Sequence, residues 1–325
     1  MFRQRFLDWL VYIGVRLVAM FMLMFPINTN LKTARFLGWI WYRLIPRHRN
    51  RAREHLRIAY GASLSDEEIE RITLRSMQQL TMLAVEMFFT PRVINLWTWA
   101  RYVELKNIQP ALDVLLSRRG AVMVTGHYGS WELLGFTLAT LGFPLTAVMR
   151  PLDNPYLNDW LLEVRAKRGL QLLYKKGAAR SANDILENGG LLCFIADQNA
   201  GRKGEFVDFF GKQASTYKSI GLLAMEYEVP IIVGYARRTG DNFHYELGCN
   251  RIIHPHEWQQ HDNALHWLTQ EYTRAIEDFV REDPEQYLWI HRRWKSRPRH
   301  ERFAQKALDS QKGSAAPETT NSVSS

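Results

Sequence analysis

Five short apolar runs constrain the fold of this chain most: AVMVT at 121–125, LTAVM at 145–149, LQLLY at 170–174, LLCFIA at 191–196 and IIVGYA at 231–236. Each is bounded by Gly, Pro or charged residues, and helical spacing fills the intervals between them. An apolar run of this length suits a strand buried on both faces, and strands that alternate with helices build a sheet with helices on its flanks. The chain therefore reads as an α/β fold. At 325 residues it is long enough to bury one substantial α/β core with an added helical segment. No internal repeat is visible.

The N-terminal part follows other rules. From residue 9 to residue 26 the run WLVYIGVRLVAMFMLMFP carries one charge, Arg16. It lacks the small-residue cleavage site of a secretory signal, so it is expected to stay on the mature protein. A bilayer core of about 30 Å needs ~20 apolar residues. The run is at the lower limit for crossing, so spanning and lying embedded both fit, with a buried core helix as the third reading. Arg3 and Arg5 precede it, whereas Lys32, Arg35, Arg43, Arg47, Arg49, Arg51 and Arg53 follow it, a bias that places the downstream body on the cytoplasmic side. Next, TARFLGWIWYRLIP at 33–46 interleaves Trp39, Trp41 and Tyr42 with arginines, as an interfacial helix does. The basic run of Arg47, Arg49, Arg51, Arg53 and Arg57 adds attraction to an anionic membrane surface.

Ser65, followed by Asp66, Glu67 and Glu68 and then by helical apolar spacing, marks the start of a long helix that packs the N-terminal part onto the body. The expected organisation is membrane-associated helices over 1–46, a folded body over 47–302 and a tail over 303–325. That tail is small and polar without an apolar period, so disorder is expected there. The formal charge of +9 points to an anionic partner: phospholipid headgroups, a phosphorylated substrate, nucleic acid or an acidic carrier protein. The two cysteines, Cys193 and Cys249, both fall in apolar strand-like runs and support neither a disulfide framework nor a Cys-rich metal site.

The stretch GHYGSWELLG at 126–135 carries the chemistry. AVMVT reads as a strand, Gly126 and Gly129 permit a tight turn, Ser130 can cap, and WELLGFTLATL continues as a helix. Residues five apart on a regular helix point about 140° away from each other. His127 and Glu132 therefore meet only if His127 lies on the connection and Glu132 in the first helical turn. In that arrangement the carboxylate holds one imidazole nitrogen and stabilises the imidazolium, while the opposite nitrogen takes a proton from a substrate hydroxyl. The bland alternative is a surface loop histidine beside a glutamate that merely satisfies the helix dipole. A protein nucleophile is not expected: Tyr128 and Glu132 stand where a G-x-S-x-G elbow around Ser130 needs glycines, and Cys193 sits in an apolar run.

With these residues in view, the sequence resembles the bacterial lipid A biosynthesis acyltransferases, of the lauroyl and myristoyl type, within the wider glycerolipid acyltransferase superfamily. The resemblance runs from about residue 35 to residue 298 through GHYGSWE, VMRPLDNPYLND, GGLLCFIADQNAG, FFGKQASTYKSIGLLA, VPIIVGYARR and PEQYLWIHRRWKSRP, in that order. The superfamily's usual first block has Asn before the histidine and ends in Asp, where this chain has Gly126 and Glu132. Its Pro-Glu-Gly block is replaced here by Ala196, Asp197 and Gln198. The resemblance implies a central mixed sheet flanked by helices and an enzyme of the inner membrane. That enzyme would move a fatty acyl chain from acyl carrier protein, or from coenzyme A, to a hydroxyl of a membrane lipid. His127 would be the base and Glu132 its orienter. Arg150 matches the family arginine after the second strand, where a fixed cation holds a lipid phosphate or the developing oxyanion. Asn154, Asp197, Gln198, Tyr217 and Lys218 fall in the matching blocks as substrate-binding candidates, the last two opening a helix where phosphate can sit. The acceptor stays open between a lipid A precursor, a lysophospholipid and an aminolipid.

Two other signals compete. His254, His256, His261 and His266 in HPHEWQQHDNALHW match neither H-E-x-x-H nor a cysteine-supported zinc spacing, so no metal is expected, and no cofactor is implied. The basic run HRRWKSRPRHER around Trp294 has the composition for phosphate contacts and stacking, yet no nucleic-acid module accompanies it, so no nucleic-acid partner is expected. A non-catalytic membrane-binding protein explains the charge and the N-terminus, but it gives no reason for His127 and Glu132 at a strand-to-helix turn.

Overall fold

In the computed structural model four helices come first: α1 (Phe2–Met22), α2 (Ile27–Leu44), α3 (Pro46–Tyr60) and α4 (Asp66–Val93). The body then alternates: β1 (Val103–Lys106), α5 (Gln109–Leu116), β2 (Ala121–Thr125), α6 (Trp131–Thr140), β3 (Leu145–Met149), α7 (Pro155–Ala166), β4 (Gln171–Tyr174), α8 (Ala178–Glu187) and β5 (Leu191–Ile195). A hairpin of β6 (Glu205–Phe209) and β7 (Lys212–Thr216) leads to α9 (Lys218–Glu226), β8 (Ile231–Arg238), β9 (Tyr245–Ile253), α10 (Pro255–Trp258) and α11 (Ala264–Glu282). The structure describes residues 2–301 apart from 167, 168, 175–177 and 300, so the tail at 303–325 lies outside the described residues.

All five apolar runs are strands, and they lie together in a seven-stranded sheet of order β1-β9-β8-β2-β5-β3-β4. Neighbours are parallel except β8 and β9, which makes the sheet mixed. The alternation of side chains along β2 explains why its run is apolar throughout. Val122 and Val124 join a core with Ile220 of α9 and Tyr272 and Ile276 of α11. Ala121 and Met123 point the other way, into a core with Leu133 and Leu134 of α6 and Leu115 of α5.

The N-terminal run does not form one continuous helix. α1 ends at Met22, a turn follows, and Pro26 caps α2, because proline restrains the residue before it and cannot extend the preceding helix. No helix among the described residues is long and apolar enough to cross a membrane. Nor is α1 a core helix: Ala19 is buried, while Leu10, Leu17, Val18 and Phe21 are exposed. α2 is two-faced. Leu31, Ala34 and Gly38 are buried against the body, and a Cβ at Gly38 would stand 2.6 Å from the Gln78 backbone of α4, whereas Phe36, Leu37 and Trp39 face outward. α4 starts with a capping box in which the Glu68 backbone N–H donates to the Ser65 hydroxyl and the Ser65 N–H to the Glu68 carboxylate. Further along, Glu86 forms a buried ion pair with Arg238 at the end of β8, fixing α4 to the sheet.

Candidate active site

Strand register makes the site. β2 and β5 are parallel neighbours with Thr125 beside Ile195, so the residues two steps beyond each strand end, His127 and Asp197, fall side by side. They lie where the chain has left β2 for one side of the sheet and leaves β5 for the other, at the C-terminal strand ends where such sheets open a crevice.

The connection that carries His127 is pinned on three sides. Gly129 donates to the Gln286 carbonyl at 3.1 Å, Ser130 to the Ala236 carbonyl at 2.8 Å, and Leu288 donates back to the His127 carbonyl at 3.0 Å. Gly129 has φ +57°, and a Cβ there would stand 2.0 Å from the Ala236 oxygen, so only glycine fits. Ser130 occupies the N-cap position of α6, but its buried hydroxyl makes no capping bond; the backbone bonds hold the turn instead.

Asp197 clamps His127 twice. Its Oδ2 accepts the His127 backbone N–H at 3.0 Å and its Oδ1 lies 2.7 Å from Nδ1. A carboxylate only accepts, so Nδ1 carries a proton and Nε2 is the nitrogen with a free lone pair. That Nε2 is 3.2 Å from the Gln198 amide nitrogen. The Asp197 side chain is 1% exposed and that of His127 12%. Burial alone would raise the Asp197 carboxyl, but the charge and hydrogen bonds of His127 override it and hold it down at about 2. The Trp131 ring meets the imidazole edge-on at 5.0 Å, and His291 lies parallel to it at 6.3 Å. Burial pushes His291 down to about 4, against the pull of Asp197, so it stays neutral beside its neighbour.

Glu132 is in the first turn of α6, as expected, but its partner is different. Its Oε1 accepts from Arg165 at the end of α7 at 2.5 Å, and no hydrogen bond joins it to His127 among the described residues. The reason is again register: Asp197 already occupies Nδ1, while α7 brings a buried guanidinium over the start of α6. Glu132 and Arg165 both line a cavity of about 100 Å³ with Thr125, Trp131, Met149 and Phe194.

The remaining candidates scatter. Arg150 is 82% exposed and pairs with Asp153, so of these two cations it is Arg165 that lies inside the fold. Asn154 accepts the Leu157 N–H and donates to the Asp8 carbonyl, tying α7 to α1. Tyr217 caps α9, and its carbonyl accepts from the Tyr272 hydroxyl. Lys218 pairs with Glu205 of the hairpin at 3.1 Å. His254 and His256 stack on each other, His261 stacks on Trp267, and His266 pairs with Glu205. Burial raises both thiols, that of Cys249 to about 11. Sequence reasoning missed Arg165, which belongs to no recognisable spacing, and His291, although the matching block PEQYLWIHRRWKSRP contains it. It also missed the fully buried Arg293, which donates to the Ser215 carbonyl at 2.6 Å and the Gln198 carbonyl at 3.3 Å and so holds the loop bearing Gln198.

A buried carboxylate holding an imidazole whose Nε2 meets only the Gln198 amide can take a proton from a hydroxyl once that amide is displaced, and the Glu132–Arg165 pair lines a small apolar cavity nearby in the chain, next to Trp131. The chain is similar to known acyltransferases. A lipid A biosynthesis lauroyltransferase of Escherichia coli is 24% identical over 301 residues, covering 89% of this chain and 92% of that protein. A lipid A biosynthesis palmitoleoyltransferase of the same organism is 26% identical over 299 residues, with the same coverage. A phosphatidylinositol mannoside acyltransferase of Mycolicibacterium smegmatis is 28% identical over 145 residues, covering 43% of this chain and 47% of that protein. Since the family model for the bacterial lipid A biosynthesis acyltransferases matches residues 2–296, a range that contains every residue of this site, the chain belongs to that family of O-acyltransferases.

Proposed function

We propose that this chain transfers a fatty acyl group from an acyl thioester, carried on acyl carrier protein, to a hydroxyl of a lipid A precursor at the cytoplasmic face of the inner membrane. The single observation that carries the chemistry is the pair of hydrogen bonds from His127 to Asp197, which leaves Nε2 as the acceptor. The acceptor hydroxyl displaces the Gln198 amide from Nε2, its oxygen attacks the thioester carbonyl carbon, and Nε2 takes the hydroxyl proton. The tetrahedral intermediate then collapses, the carbon–sulfur bond breaks, and the thiolate recovers the proton from Nε2. Asp197 stabilises the imidazolium between the two steps. Arg165, held by Glu132, is the cation assigned to the developing oxyanion, so Glu132 acts through Arg165 rather than through His127. The exposed apolar face of α1 and the outward Trp39 face of α2 seat the protein on the membrane. The relatives' names support a lipid A acceptor, and the partial match to a mannoside acyltransferase supports a sugar-bearing lipid more generally.

The test is acyl transfer by the purified full chain to a lipid A precursor from an acyl carrier protein thioester and, separately, from acyl coenzyme A. His127→Ala is expected to lose ~10²- to 10⁴-fold in turnover while remaining folded. Retained turnover would end the assignment of His127 as base.

A further inference from the structure

The basic run of α3 does not act as one patch. Arg53 pairs with Glu70, Arg57 with Asp66, and the Arg49 guanidinium lies over the Tyr42 ring. Arg47 and Arg51, one turn apart, face instead into a cavity of about 550 Å³ completed by Lys212 of the hairpin and by Arg292 and Lys295 of the C-terminal segment. One carboxylate, Glu54, lines it with them. Among the described residues none of these five cations forms an ion pair, although the other arginines of α3 have found partners.

Crowding five cations around one concavity is unfavourable unless an anion completes it. Burial first, and then the charges of Arg292 and Arg47, lower the Arg51 guanidinium, against the pull of Glu54. His55 and Trp294 form part of the wall, with the His55 ring nitrogen on the Trp289 carbonyl at 2.7 Å, so the cavity has a fixed floor rather than a fringe of mobile side chains. One chain segment reaches both this cavity and the active site: Arg51 donates to the Ile290 carbonyl at 3.4 Å, and His291, between Ile290 and Arg292, lies parallel to His127 at 6.3 Å.

We propose that this cavity is a phosphate subsite, in which Arg47, Arg51, Lys212, Arg292 and Lys295 hold a phosphate ester or diphosphate of a substrate while its other end reaches His127. A concave, multiply cationic pocket fits a compact multivalent anion, since guanidinium groups fork onto phosphate oxygens and lysines add charge. The phosphate has two possible sources: the phosphorylated sugar of a glycolipid acceptor, or the phosphate groups of the thioester donor. The proposal rests on the acyl-transfer reading only for its role in turnover.

The binding test is therefore separate from catalysis. Titration of the full chain in detergent with inorganic pyrophosphate, followed by calorimetry, is expected to show one saturable site. Arg51→Gln and Arg292→Gln should each weaken it by roughly tenfold or more, the loss expected for one charge-assisted contact. Arg119→Gln, which removes an exposed charge before the start of β2, at the opposite strand end from His127, should leave it unchanged. Absence of saturable binding, or equal loss in all three variants, overturns the subsite. A His127→Ala protein should still bind pyrophosphate, so failure of the catalytic assignment and failure of the subsite give different results. Steady-state kinetics then assign the source. A raised KM confined to phosphorylated acceptor, and absent with its dephosphorylated form, identifies the acceptor; a raised KM for the thioester identifies the donor; unchanged KM for both overturns a role in substrate binding.

Discussion

Replacing Asp197 by Asn tests the assignment of the base most sharply, because the structure fixes how the amide must sit. The His127 backbone N–H is a donor at 3.0 Å from Oδ2 and cannot move, so the amide oxygen takes that position and the amide NH2 faces Nδ1. Nδ1 must then accept, the ring proton moves to Nε2, and the base loses its lone pair. Turnover is expected to fall ~10²- to 10⁴-fold. The carboxyl is displaced from 3.8 to about 2, a preference for the ionised form of roughly 2 kcal/mol, part of which returns when a buried charge is removed. A depressed carboxyl contributes stability above its unfolded value and loses it as pH falls through the folded one. The wild type should therefore lose stability between about pH 4 and pH 2, and Asp197→Asn should lack that component. Acyl transfer across pH, with urea unfolding of both proteins at pH 7 and pH 3, measures both effects. Turnover close to wild type with an unchanged pH profile would refute the tautomer argument.

Glu132→Ala and Arg165→Ala should each reduce turnover strongly, and the double variant should be little worse than either, since the two act as one unit; additive losses in a double-mutant cycle would separate them. Gly129→Ala should destabilise the chain by about 1–3 kcal/mol and displace His127, because its Cβ meets the Ala236 oxygen and its φ is left-handed; wild-type stability in urea would contradict this. Leu17→Glu with Phe21→Glu on the exposed face of α1 should weaken sedimentation with anionic vesicles at high salt, where basic residues are screened; full retention would assign membrane contact elsewhere.

Much of the sheet was legible because β2, β3, β5 and β8 run through the interior and so are mostly apolar, while the edge strand β4, exposed at Gln171 and Tyr174, showed through Leu170, Leu172 and Leu173. β1, β6 and β9 escaped because VELK, EFVDF and YELGCNRII mix polar and apolar residues, and β7 (KQAST) because it is largely polar. The position of His127 on a strand-to-helix turn was legible from two glycines. Its partner was not. Proximity in sequence favoured Glu132, five residues on, whereas Asp197 is seventy residues away and arrives only through the pairing of β2 with β5. Arg150 misled for a related reason: it lies just beyond the end of β3, where a cation is expected, but α7 supplies the buried one.

That pairing has an evolutionary consequence. Between the two strands whose ends hold His127 and Asp197, the chain makes one long excursion through α6, β3, α7, β4 and α8. The same excursion supplies Glu132, Arg165 and most of the wall of the apolar cavity. Since backbone ladders of adjacent strands set the distance between base and orienter, insertions or exchanges within the excursion can reshape what the cavity accepts while the proton-transfer geometry stays put. Proton transfer and selectivity are thereby separately heritable: one is anchored in strand register, the other in a stretch of chain that can vary around a kept Glu132 and Arg165.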